Sequence, residues 1–237
     1  MELLLCGAQH LGLKLDNHQL QAFQVYYEEL MAWNRRLNLT KITEYEEVQV
    51  RHFLDSLTCL LVLQNHRPTA KIVDVGTGAG FPGLPIKIAL PEARLTLLEA
   101  TRKKAGFLEH LVERLGLAEV RVVWARAEEA GHDPAHRERY DVALARAVSE
   151  LAVLAEYALP FCQVGGLFVA QKGAEVAQEI EAAQGAITTL GGHLQRVKRV
   201  KLPGLDQPRS LVVIEKRAST PEKYPRRPGL PAKRPLR

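Results

Sequence analysis

"IVDVGTGAGFPGLP", residues Ile72–Pro85, is an apolar run that breaks into glycine at Gly76, Gly78 and Gly80, with Gly83 following after Phe81 and Pro82. Glycine permits positive φ and leaves no Cβ between the main chain and a flat ligand. Nucleoside triphosphates, dinucleotides and S-adenosyl-L-methionine are all bound by turns of this kind. A phosphate loop needs G-x-x-x-x-G-K-[ST], and no glycine here precedes Lys-Ser or Lys-Thr. A dinucleotide fingerprint needs G-x-G-x-x-G, and Phe81 stands in its third place. The pattern that remains is D-x-G-x-G-x-G, starting at Asp74.

Outward from this turn, short β-rich runs alternate with helical stretches. The strands read "KIVDV", "RLTLLEA", "VRVVWA", "YDVALAR" and "GGLFVAQKG", with helices around residues 82–89, 101–116, 147–159 and 174–190. Near-continuous apolar strands separated by helices predict a parallel sheet covered on both faces. The last two runs, "LQRVKRVKLP" and "RSLVVIEK", are joined only by "GLDQP", too short for a crossover helix, so they pair antiparallel. The expected fold is α/β: a Rossmann-like, mostly parallel seven-stranded sheet finished by an antiparallel hairpin, as in class I methyltransferases.

Two acids support a nucleoside ligand at the turn. Glu99 ends the second strand, placed to accept hydrogen bonds from ribose hydroxyls. Glu128, in "WARAEE" after the third strand, is placed beside an adenine edge. Loop, acid and acid in that order favour S-adenosyl-L-methionine.

Residues 1–66 read as a helical cap and 67–217 as the Rossmann-like domain. Asp16 and Gln19 are spaced as an N-cap and its N3 partner. Leu20, Phe23, Tyr27, Leu30 and Met31 then follow helical spacing until "WNRRLNLTKIT" interrupts it, and a second helical stretch runs from Glu44. Residues 218–237 form the third segment. Five prolines there predict an extended, irregular tail.

The chain has 237 residues, 46% apolar and 25% charged, with a net charge of +5. From Lys216 onward eight Lys and Arg residues face Glu222 alone, a net +7, which leaves residues 1–215 at about −2. A basic segment of this kind suits a polyanion, nucleic acid above all. No run is long and apolar enough to span a bilayer, and "MELLLCGAQHLG" lacks the basic start of a secretory signal. Cys6, Cys59 and Cys162 are too few and scattered for a disulfide framework or a metal site. A cytoplasmic monomer without a metal is the expectation.

The sequence resembles the bacterial small-subunit (16S) ribosomal RNA guanine-N7 methyltransferases, also called glucose-inhibited division protein B. The likeness is carried by "WNRRLNLTKIT", "RHFLDSL", "DVGTGAGFPGLPIKI", "RAEE", "DVALARAV", "QKG" and "TPEKYPRRPGLPAKRPL", and spans nearly the whole chain. It implies cofactor contacts at Gly76, Phe81, Ala127, Glu128 and Arg146, to which the turn and second strand add Gly78, Glu99, Ala100 and Thr101. Glu99 stands where many members have Asp. The resemblance also implies a partner, 16S ribosomal RNA or the small ribosomal subunit, and makes the tail a working surface. Candidate RNA contacts are Arg35, Arg36 and Lys41 in the cap, Lys172, and Lys223, Arg226, Arg227, Lys233 and Arg234 in the tail.

Guanine N7 carries an in-plane lone pair, so its methylation needs positioning and electrostatics rather than a general base. "ALARAV" stands where exocyclic-amine enzymes carry [DN]-P-P-[YF], and Cys162 reads as core rather than nucleophile. Arg146 and Lys172, at the carboxyl ends of the fourth and fifth strands, are the candidate catalytic groups. His52 and Asp55 share a helix face, as packing residues or as a dyad. Three rivals remain: a small-molecule methyltransferase, a non-catalytic RNA-binding protein and a dinucleotide oxidoreductase.

Overall fold

The computed structural model describes residues 1–63, 69–146 and 149–237. The expected boundary between cap and body, and the first residues of the helix expected at 147, lie outside them. The cap comprises α1 (Glu2–His10), α2 (Asn17–Leu37), α3 (Tyr45–Val48), a π-helical stretch (Gln49–Leu54), α4 (Asp55–Leu57) and α5 (Leu60–Leu63). The body runs β1 (Lys71–Val75), α6 (Gly83–Ala89), β2 (Arg94–Glu99), α7 (Arg102–Arg114), β3 (Val120–Trp124), α8 (Ala127–Ala130), β4 (Tyr140–Arg146), α9 (Leu151–Ala158), β5 (Cys162–Lys172), α10 (Ala177–Thr189), β6 (Gly192–Val200) and β7 (Arg209–Lys216). A last helical turn, α11, spans Leu230–Lys233.

The seven strands lie in the order β3-β2-β1-β4-β5-β7-β6. β1 to β5 are parallel, and β7 is antiparallel to both β5 and β6. The sheet reverses its order of addition between β1 and β4, where open α/β folds form a crevice beyond the carboxyl ends of the strands.

Strand alternation splits the core in two. Ile72, Leu95, Leu97, Val142, Leu144 and Val169 face the cap, α6 and α7. Val73, Val75, Ala143, Ala145, Phe168 and Val212 face α9 and α10. The cap therefore shares its core with the sheet: Leu4, Phe23, Tyr26, Leu30 and Phe53 are wholly buried in that first layer.

The capping box is formed as the spacing predicts, with the Asp16 carboxylate accepting from Gln19 N at 2.8 Å and Gln19 Oε1 accepting from Asp16 N at 2.9 Å. "WNRRL" does not interrupt α2, which continues to Leu37 and stops where Asn38 takes a left-handed conformation. Trp33 packs on Phe107 of α7, and the Asn34 amide bonds both the N–H and the C=O of Thr40. Tyr26, rather than Tyr27, is the buried tyrosine, because i+3 and i+4 both satisfy a helical period and the α6 side selects one.

The C-terminal segment is irregular in its backbone, as expected, but it is docked on the body rather than extended from it. Thr220 and Tyr224 are buried, and α11 closes it. Arg137 donates to the carbonyls of Thr220 and Tyr224, and His132 bonds that of Pro225. The wholly buried Glu156 receives Arg226 through its backbone N–H, Nε and Nη2. Proline content alone concealed this docking, because the partners lie in other elements.

Candidate active site

The glycine turn is pinned to the end of β2. Gly76 and Thr77 donate to Leu98 O, and Glu99, only 6% exposed, accepts from Gly78 N at 3.0 Å and Thr101 N at 2.7 Å. At Gly78 (φ +62°) an added Cβ would meet no protein atom within 4 Å, so the space over the turn is open to a ligand. Gly80 serves a different end: a Cβ there would strike Leu84 and the Tyr26 hydroxyl. Beneath the turn, Asp74 accepts from Thr77 Oγ1 and Gly83 N through Oδ2, while its buried Oδ1 has no partner among the described residues. Burial raises the Asp74 pKa to about 6.

A cavity of about 400 Å³ opens beside this turn. Its walls include Gly76, Ala100, Ala127, Glu128 and Tyr157, and the C-terminal segment closes it with Gly229 and Ala232. Glu128 Oε1 accepts from Gly229 N at 2.9 Å. Burial, then the Glu128 carboxylate, pushes the Tyr157 hydroxyl up to about 12.

A second cleft, about 780 Å³, lies at the same sheet edge between cap and body. Arg51, Lys104, Arg146, Lys172 and Arg209 give it a basic lining. Lys172 Nζ joins the two spaces, donating to the carbonyl of Ser149, which walls the first cavity. Its charge is paired with Glu179 at 2.5 Å.

Arg146 organises the second cleft. Its Nη1 lies 3.4 Å from Asp55 Oδ2, its Nη2 bonds His52 Nδ1 at 3.2 Å, and its Cζ is 4.7 Å from the centre of the Phe81 ring. Phe81 also stacks with His52 (4.5 Å) and Tyr26 (5.3 Å). Arginine only donates, so His52 Nδ1 is the acceptor and Nε2 carries the proton, which it gives to Thr40 Oγ1 at 2.8 Å. Burial and Arg146 lower the His52 pKa to about 3. Asp55 does not touch His52 through its carboxylate. It bridges Arg146 and Arg209 instead, the latter at 2.9 Å, so the pair is a scaffold and not a dyad.

The structure gathers Gly76, Gly78, Phe81, Glu99, Ala100, Thr101, Ala127, Glu128 and Arg146 at one edge of the sheet. It does not gather the expected RNA contacts into one patch. Arg35, Arg36 and Lys41 are exposed on the cap, while Lys223, Arg227, Lys233 and Arg234 are exposed on the segment that covers the opposite face. Arg226 is engaged with Glu156 rather than free for RNA. Cys162 is buried core, its thiol raised to about 12 by burial. Tyr26, Tyr157 and Arg209 escaped sequence reading. Only the position of Arg209, beside the hairpin turn, carried a signal.

A parallel sheet ending in an antiparallel hairpin, with a bare glycine turn backed by an acid on the next strand, defines a class I methyltransferase. A predicted O-methyltransferase from Agrobacterium tumefaciens shares this fold with a TM-score of 0.53 at 21% identity, over 70% of this chain and 80% of that one. The chain belongs to the family described as rRNA small subunit methyltransferase G, whose model matches residues 19–211. The ribosomal RNA small subunit methyltransferase G of Roseiflexus castenholzii is 52% identical over 236 residues, covering 100% of both chains. That of Alkaliphilus metalliredigens is 49% identical over 231 residues, covering 98% of this chain and 96% of its own.

Proposed function

We propose that the protein methylates N7 of a guanine in 16S ribosomal RNA, using S-adenosyl-L-methionine and releasing S-adenosyl-L-homocysteine. The observation that carries this reading is the joining of the glycine-walled cavity to the basic cleft through the bond from Lys172, which lines the cleft, to the carbonyl of Ser149, which lines the cavity. The cavity fits the cofactor. Gly76 and Gly78 leave open space over the main chain, Glu99 presents a buried carboxylate with lone pairs to spare, and Glu128 and Tyr157 line the far end. When bound, the cofactor supplies an electrophilic methyl group on a sulfonium.

The chain's own work is positioning. Tyr26 and His52 hold Phe81, Asp55 holds Arg146, and together they fix the floor on which a base is oriented. Among the described residues lining the cleft, the one carboxylate, Asp55, is occupied by two arginines, and the one imidazole has its free lone pair taken by Arg146. A nucleophile that needs no deprotonation suits such a cleft, which favours N7 over an exocyclic amine. Arg146 and Arg209 supply donors for the O6/N7 edge of guanine. The target is a splayed-out guanine in a loop, because the A-form major groove is too deep and narrow for side chains to read. The reading places this reaction on RNA in the cytoplasm, carried out by a monomer; no described helix is long and apolar enough to cross a membrane.

Incubation with 16S RNA and labelled cofactor, followed by aniline cleavage, tests this directly. Label at an aniline-sensitive guanine is the expected result; label on an exocyclic amine, or none, overturns the reading.

A further inference from the structure

The first turn of α7 breaks a local rule. Helix N-termini favour acids, yet α7 opens with Arg102, Lys103 and Lys104 and has no acid in its first turn. Violations of this kind concentrate at functional sites. Arg102 and Lys103 are exposed and make no ion pair among the described residues, while Lys104 reaches into the basic cleft.

Beside this turn stands Trp124, the last residue of the edge strand β3, 56% exposed. It is the one aromatic among the exposed large apolar side chains of the described residues. Its ring is held rather than loose. Nε1–H donates to Ala100 O at 3.1 Å, and the Arg102 guanidinium lies 5.1 Å from the ring centre. Ala100 and the exposed Arg126 both wall the cofactor cavity. A fixed aromatic plate and a line of cations thus lead away from the cleft at the catalytic edge of the sheet.

We propose that Trp124 and the first turn of α7 form a track for the single-stranded RNA that flanks the target nucleotide. An unstacked base packs on the indole, and the phosphates beside it are met by Arg102, Lys103 and Arg126. Stacking tolerates any base, so the track supplies affinity and direction rather than sequence choice. This rests on the RNA substrate proposed above.

The test is RNA binding by wild type, Trp124→Ala, Trp124→Phe and the double variant Arg102→Gln/Lys103→Gln, using a 16S RNA loop fragment. The chain has two tryptophans, and Trp33 is packed on Phe107 and His110 in the later turns of α7. RNA quenches the wild-type fluorescence, and the quench is absent from Trp124→Phe, which binds RNA within about twofold of wild type because a ring is retained. Trp124→Ala binds RNA roughly 5- to 100-fold more weakly than Trp124→Phe, which loses the same bond to Ala100 O but keeps a ring. The double variant lowers the log–log salt slope by about 1.4, the share of two phosphates on a single strand. Trp124→Ala binding as tightly as wild type, or a quench that persists in Trp124→Phe, overturns the track. If wild type methylates 16S RNA and the variants match it, only the track falls. If wild type neither binds nor methylates RNA, the proposed function falls with it.

Discussion

Gly229 donates its backbone N–H to Glu128 Oε1 across 2.9 Å, and this contact makes the C-terminal segment one wall of the cavity beside the glycine turn. The residue pair lies 101 positions apart in sequence. A basic stretch that composition assigns to RNA alone therefore also shapes the cavity proposed for the methyl donor, and variants in it should separate the two roles.

Ala232 is exposed on its outer side and borders the cavity. Ala232→Trp should fill part of that space and lower cofactor affinity about tenfold, roughly 1.4 kcal/mol, while RNA affinity stays constant. Calorimetry and a filter-binding assay on the same preparation measure the two effects.

Glu156 is wholly buried and Arg226 is its counter-ion. Glu156→Ala leaves the guanidinium unpaired at a largely desolvated position and should cost about 3–5 kcal/mol in urea denaturation. The same variant should weaken cofactor binding, because Arg226 anchors the segment that carries Gly229.

Gly78→Ala adds a methyl group that meets no protein atom, so its effect on binding reports on the ligand. The left-handed conformation costs about 1–2 kcal/mol of stability. Cofactor affinity should fall roughly 10- to 100-fold, and an unaltered affinity would place the ligand elsewhere.

His52 has a folded pKa of about 3, below its unfolded value near 6.5. The unfolded chain therefore binds the proton first as pH falls. The stability from keeping this imidazole neutral is complete above pH 6.5 and is lost between pH 6.5 and about 3. Asp74 acts in the opposite sense. Its pKa is raised to about 6, so its contribution is complete below its unfolded value and is lost as pH rises through 6. Comparing wild type with His52→Gln isolates the histidine: the stability gap between them should shrink by roughly 2 kcal/mol from pH 7 to pH 5.

What the sequence disclosed was what strands, turns and spacing encode locally. β-rich runs set between helical stretches gave the parallel strands, the joining segment "GLDQP" gave the antiparallel hairpin, and the D-x-G-x-G-x-G run gave the bare turn. Long-range pairings stayed hidden. Nothing near Arg226 in sequence announces Glu156, 70 residues away, and nothing near Arg146 announces Asp55 and His52. Helical spacing placed Tyr27 on the buried face, but Tyr26 is the buried one, and the neighbouring turn, whose Ala79 carbonyl accepts from the Tyr26 hydroxyl at 2.6 Å, explains the difference.

The account depends most on the bare turn and the C-terminal wall enclosing the methyl donor. Calorimetric titration with S-adenosyl-L-methionine measures this directly. Saturable binding to the wild type that weakens in both Gly78→Ala and Ala232→Trp is the predicted result. An absence of heat at millimolar ligand, or affinity indifferent to both substitutions, contradicts it.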